Sequence, residues 1–161
     1  MTQIRAIHPE ELKWIPPLIP DRDELFRVYP AGHYPFTHEQ VQQLYSDRFE
    51  FTVICEDNNI VGFANLYDCI QGQYAFIGNL FIAPDYRGHG LGTVLLQYMI
   101  KAAFEKYRLP EVRLSVFADN TNALALYTRF GFRVYDNEER VDPQGSTVKL
   151  LHMKLAKSDV T

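Results

Sequence analysis

The run Asn79-Leu80-Phe81-Ile82-Ala83-Pro84-Asp85-Tyr86-Arg87-Gly88-His89-Gly90-Leu91-Gly92 constrains the fold more than any other part of the chain. An apolar stretch ends at a proline, a glycine-rich turn follows, and a long amphipathic segment begins at once. That order reads as a buried strand, a break, a turn and a helix. Gly88, Gly90 and Gly92 keep bulky side chains away from the first helical turn. The N–H groups there have no partner within the helix and carry a partial positive charge, so the turn favours a phosphate or pyrophosphate.

The flanking segments predict the remaining elements. Ile4 to Ile7 alternates weakly, as a first strand would. Glu10 to Pro20, with four prolines counting Pro9, admits only short helical turns. Asp21 to Tyr29 reads as a short helix stopped by Pro30, and Ala31 to Phe36 as loop. Thr37 caps a helix to about Tyr45, with Gln40 as its capping-box partner. Phe51–Glu56 and Ile60–Tyr67 form a hairpin about Asp57-Asn58-Asn59. After the turn Gln71-Gly72-Gln73, Tyr74 to Ile82 is the longest apolar strand. The helix after Gly90 carries Leu91, Val94, Leu95, Tyr98, Met99, Ala102 and Ala103 as one stripe. Val112 to Phe117 is a strand, Asn120 to Phe130 a helix closed by Gly131. Phe132–Tyr135 and Val148–Leu155 complete an antiparallel pair.

Composition narrows the class. A chain of 161 residues fits a single α/β domain, 1–161, large enough to bury roughly 70% of its unfolded surface. A net charge of −4 without a basic run argues against nucleic acid. No apolar run approaches the roughly 20 residues of a membrane span, and the N-terminus lacks the apolar stretch of a secretion signal. Cys55 and Cys69 lack metal-ligand spacing and read as buried thiols of a reducing, cytoplasmic protein, and no metal is expected.

The glycine turn excludes two familiar phosphate motifs. Position 95 is Leu95 where a dinucleotide fingerprint needs glycine, and no Gly-Lys-Ser/Thr follows for a P-loop. What remains is Arg87-x-x-Gly90-x-Gly92 after Ala83-Pro84, which resembles the Arg/Gln-x-x-Gly-x-Gly/Ala motif of the GCN5-related N-acetyltransferases, the GNAT superfamily. Asn120-Thr121-Asn122-Ala123-Leu124-Ala125-Leu126-Tyr127-Thr128-Arg129-Phe130-Gly131-Phe132 resembles that family's C-terminal signature, one helix and one strand further on. The resemblance covers about residues 50 to 155. It implies a mixed, mostly antiparallel sheet of about six or seven strands, splayed between the fourth and fifth, with about four helices. Residues 51–155 would be the cofactor-binding core and residues 1–50 the acceptor side.

The resemblance further implies acetyl transfer from acetyl-coenzyme A to a primary amine by direct attack through a tetrahedral intermediate. Backbone amides of Arg87, Gly88, His89, Gly90, Leu91, Gly92 and Thr93 would cradle the pyrophosphate. Leu80, Phe81 and Ile82 would pair with the pantetheine arm by strand addition, and Asn120 would reach the same arm. Tyr127 matches the family's general acid toward the leaving thiolate, and a phenol near its ordinary value of about 10 suits that step. No carboxylate stands where relatives carry a base. Water held by Asn79 or Ser115, or a proton acceptor among Asp68, His33 and Tyr34, stays open, and so does a Cys69 nucleophile. Acceptor walls are expected from Tyr34, Phe36, Tyr67, Asp68 and Asn79, with Tyr29, His33 and the loop Val141 to Ser146 nearby. Asp21, Asp23 and Glu24 could attract a cation, whether a small-molecule or a peptide amine. The missing carboxylate also suits a non-catalytic acyl-coenzyme A-binding module, and aromatic residues on the last strands suit a homodimer.

Overall fold

The structure, a computed structural model, describes residues 1–160. Seven strands form one sheet in the order β1-β2-β3-β4-β5-β7-β6. Strand β1 is Thr2–Ala6, β2 Phe49–Glu56, β3 Asn59–Ile70 and β4 Tyr74–Ile82. Strand β5 is Glu111–Phe117, β6 Arg133–Val141 and β7 Thr147–Ala156. All neighbours are antiparallel except β4 and β5. A parallel pair needs a crossover, which helix α3 (Leu91–Lys101) and a π-helical turn over Ala102–Lys106 supply. The helices preceding it are α1 (Arg22–Val28) and α2 (His38–Asp47), and α4 (Thr121–Phe130) follows β5. The mixed, mostly antiparallel sheet with four helices is the architecture expected from the sequence.

Side-chain alternation splits the interior in two. In β2, Ile54 joins the larger cluster with Leu95, Leu96 and Met99 of α3, whereas Val53 and Cys55 join a smaller one with Leu25 of α1 and Val41 and Leu44 of α2. Helix α4 adds Tyr127 to the larger cluster and ends at Gly131, whose φ of 102° is the left-handed cap that glycine accommodates. Two expectations need correction. Gln40 does not complete a capping box: Thr37 accepts from its backbone N–H, but its side chain reaches back to the carbonyls of His33 and Pro35 and ties down the preceding loop. Cys55 is buried as expected, but Cys69 is exposed, because it sits on the end of β3 that runs past the core.

The sheet opens where the splay was expected. Strands β4 and β5 are in register only over Tyr74–Ile77 against Glu111–Leu114. Just beyond, β4 bulges: Gly78 faces Asn65 and Phe81 faces Phe63, so β4 takes one more residue than β3 over the same length. Asn79 lies in that bulge with a left-handed φ of 53°. Neither Asn79 nor Leu80 is in register with β3 or β5. Helix α1 closes over the opening, with Phe26 stacked on Phe117 of β5 at 5.0 Å and Arg27 paired with Asp119.

Candidate active site

Two cavities occupy this opening, one of about 550 Å³ against the glycine turn and one of about 360 Å³ between α1 and β5–β7. Arg27, Val28, Leu80, Asn120 and Tyr127 line both. The cavities therefore meet at the bulge of β4, the start of α1 and one face of α4.

The larger cavity is built mainly from one contiguous segment, the end of β4 and the glycine turn after it. Leu80, Phe81 and Ile82 form one wall, and Arg87, Gly88, Gly90, Leu91 and Gly92 another. Gly88 and Gly90 each have a φ of 82°, and a Cβ on either would meet no atom within 4 Å, so both face open space. Gly90 caps α3 without any side-chain hydrogen bond, leaving the first-turn amides free for a ligand. A pyrophosphate fits this cradle. Arg87 does not wave in solvent: its Nε donates to the Ile82 carbonyl (2.8 Å) and its Nη2 pairs with Glu24 of α1 (2.5 Å). His89 and Thr93 do not line the cavity. His89 instead borders a shallow depression with Thr2 and Glu56, its Nδ1 3.2 Å from the Tyr86 carbonyl.

Tyr127 sits at the junction, 8% exposed and edge-on to Phe132. Burial pushes its phenol up to about 12. No fully buried polar side-chain atom among the described residues lacks a partner, so this unbonded hydroxyl opens into the cavities. A phenol that weak keeps its proton throughout the neutral range. It suits hydrogen-bond donation to a developing thiolate better than the near-matched proton transfer expected from its ordinary value. Asn120 also borders both cavities, but its Oδ1 caps α4 by accepting from the Ala123 N–H (3.2 Å), leaving its amide NH2 for a ligand.

The smaller cavity holds two polar groupings. In the first, Asn79 Oδ1 accepts from Arg48 Nη1 (2.7 Å) and Asn65 Nδ2 (2.8 Å), while its Nδ2 donates to the Val28 carbonyl (2.7 Å). Asn79 is thus spent on the protein: it ties α1 to the bulge and does not hold water. In the second, Ser115 Oγ lies 2.7 Å from His152 Nδ1, and His152 Nε2 lies 3.2 Å from Glu138 Oε1. Ser115 and His152 are direct cross-strand partners of β5 and β7, so the register itself creates the contact. An imidazole between a hydroxyl and a carboxylate can accept a proton on one side while the carboxylate steadies the resulting cation.

Tyr67, Asp68 and Asn79, expected as acceptor walls, line this cavity, and so do Arg48, Glu138 and His152, which the sequence did not single out. Their signals were present but faint: a polar His152 inside the apolar β7, and a lone Arg48 between helix and strand. Tyr29 lines the cavity, whereas His33, Tyr34 and Phe36 do not. Phe36 is buried in the smaller core, and the Tyr34 ring sits under Arg22. The wall expected from Val141 to Ser146 comes instead from Glu138 and Arg140, because β6 runs on to Val141. Asp21, Asp23 and Glu24 do not line the smaller cavity: Asp21 caps α1, and Asp23 and Glu24 border the larger cavity. Cys69 lines neither cavity. Among the described residues no group of His, Cys, Asp and Glu could hold a metal ion, and no helix is long and apolar enough to cross a membrane.

Comparison with known proteins agrees with this geometry. The acetyltransferase (GNAT) family pattern matches residues 17–132. A prophage-derived N-acetyltransferase of Bacillus subtilis is 28% identical over 134 residues, which is 80% of this chain and 74% of that protein. The spermine/spermidine N(1)-acetyltransferase of Bacillus subtilis is 38% identical over 58 residues, only 36% of this chain and 38% of that enzyme. The chain likewise spans 55% of the acetyltransferase PseH of Campylobacter jejuni. Among solved structures, spermidine N-acetyltransferase from Vibrio cholerae, in complex with CoA and spermine, superposes with a TM-score of 0.81 at 20% identity. That match covers 98% of this chain and 96% of the other.

Proposed function

The chain belongs to the GNAT acetyltransferase family and is an acyltransferase, and on that premise we propose that it moves acetyl from acetyl-coenzyme A to an amine. One observation carries the reading. The cavity against the glycine turn and the cavity holding His152 share Leu80 and Tyr127 in their linings, and in this reading the donor thioester and the acceptor amine come together there. In this reading the amides from Arg87 to Gly92 hold the pyrophosphate. The backbone of Leu80 to Ile82, free on its β5 side, pairs with the pantetheine arm. Acetyl-coenzyme A supplies the activated acetyl group.

Residues of the chain then handle the protons. An ammonium cannot attack, so Ser115 and His152 draw off its proton, directly or through one water, while Glu138 stabilises the imidazolium. The free amine adds to the acetyl carbon, giving a tetrahedral intermediate whose oxyanion is steadied by a backbone N–H freed by the β4 bulge. Its collapse breaks the carbon–sulfur bond, and the extra proton left on nitrogen passes to the thiolate or to water. Tyr127 donates to the departing sulfur. The test is thiol release over a panel of amines, with wild type and Tyr127→Phe. Wild type should acetylate at least one amine class, and Tyr127→Phe, which loses one hydrogen bond to a developing charge, should lose about 10- to 100-fold in kcat with acetyl-coenzyme A binding retained. Tight donor binding with no release from any amine would contradict transfer and favour a non-catalytic acyl-coenzyme A-binding module.

A further inference from the structure

Among the arginines of the smaller cavity, Arg48 stands apart. Arg27 pairs with Asp119, and Arg140 pairs with Glu138 at 3.1 Å. Arg48 makes no ion pair with any described residue: its recorded hydrogen bonds run from Nη1 to Asn79 and Asn65. Those amides fix it without neutralising it, and burial lowers its value by more than the nearby Asp68 and Asp47 raise it. Its guanidinium carbon lies 4.1 Å from the centre of the Tyr67 ring, which holds the plane flat. Gly78 makes room for the arrangement, since a Cβ there would stand 2.5 Å from Arg48 Nη1. Arg48 lines the cavity, and because no fully buried polar atom among the described residues lacks a partner, its remaining Nε and Nη2 donors keep access to solvent or a ligand. Burial lowers the guanidinium from its usual value, a sign that its charge is poorly solvated.

We propose that Arg48 binds a carboxylate on the acceptor, so that the substrate is a small amine that also carries a carboxylate. The inference rests on the acetyltransferase reading above and specifies its acceptor. A fixed planar fork with two free donors matches a carboxylate and repels a polycation. Arg48, Asn79 and Leu80 line one cavity, so the carboxylate anchor and the junction are within the compass of a single acceptor of amino-acid size. A cavity of about 360 Å³ takes a molecule of that size.

Calorimetry on the coenzyme A-loaded protein tests this without relying on turnover. The probes are L-phenylalanine, L-methionine, β-alanine and γ-aminobutyrate, each against its carboxamide, with spermidine as the cationic control. At least one acid should bind about tenfold or more tightly than its amide, Arg48→Gln should remove that preference, and Arg48→Lys should keep only part of it. Melting temperatures and coenzyme A affinity near wild type show that each variant is folded. Equal binding of acids and amides, preferential binding of spermidine, or an unchanged preference in folded Arg48→Gln would overturn the proposal. Thiol release separates the two readings: acids that bind through Arg48 while no amine of this panel or the wider one is acetylated would refute the transferase reading and leave the carboxylate anchor standing.

Discussion

Replacing Asn79 by alanine should damage this protein more than a surface change in a strand would. Asn79 is 7% exposed and its amide makes three hydrogen bonds, to Arg48, Asn65 and the Val28 carbonyl. Without it, Asn65 Nδ2, on a side chain with no exposure, loses its partner, which costs about 1–3 kcal/mol. Alanine must also take up the left-handed φ of 53°, which asparagine tolerates, adding about 1–2 kcal/mol. The expected loss is about 2–5 kcal/mol, a large share of a typical total of about 5–15 kcal/mol. Asn79→Gly separates the two contributions: it keeps the hydrogen-bond penalty and relieves the backbone, so it should be about 1 kcal/mol more stable than Asn79→Ala. Urea unfolding followed by circular dichroism, extrapolated linearly to water, measures both. If both variants fall within about 0.5 kcal/mol of wild type, the claim that Asn79 organises the bulge is wrong.

Other consequences can be checked on the same preparations. Gly90→Ala meets no neighbour and should destabilise by only about 1–2 kcal/mol through its φ of 82°. Its Cβ enters the larger cavity, so titration should show coenzyme A affinity reduced by about tenfold or more. Glu24 places a negative charge beside Arg87 in that cavity, so Glu24→Gln should tighten coenzyme A binding about two- to fivefold at low salt; weaker binding would mean that Glu24 itself contacts the ligand. Tyr127 gives an alkaline signature. Its folded value, raised by burial to about 12, exceeds the unfolded 10, so its contribution to stability is complete below pH 10 and lost as pH rises toward 12. The slope is about 1.4 kcal/mol per pH unit, and urea midpoints for Tyr127→Phe should fall less steeply in that window.

The elements were legible in this sequence because local chemistry marks them. Tyr74 to Ile82 was read residue for residue, since the turn Gln71-Gly72-Gln73 and Pro84 bound a continuous apolar run. The lining of the larger cavity was legible for the same reason: Leu80 to Gly92 is contiguous, so its strand, turn and helix start are written in order. The lining of the smaller cavity was not. Ser115 and His152 meet only because β5 and β7 pair in one register, and Arg48 reaches Asn79 across 31 positions. Tyr34 and Phe36 looked suitable as walls because they are aromatic and near α1 in sequence. The Gln40 side chain binds the carbonyls of His33 and Pro35 in their own loop, and Phe36 turns inward to the core. The bulge at Asn79 leaves no sequence signal beyond an asparagine in a strand.

The central claim is that donor and acceptor meet at Leu80 and Tyr127, and an experimental structure with coenzyme A bound tests it most directly. The account requires the pyrophosphate against the amides of Gly88 to Gly92, the pantetheine arm along Leu80 to Ile82, and the sulfur within hydrogen-bond distance of the Tyr127 hydroxyl, about 3–3.5 Å. The acetyl position should open toward Ser115 and His152. Coenzyme A seated away from the glycine turn, or a sulfur remote from Tyr127 and walled off from His152, would contradict it.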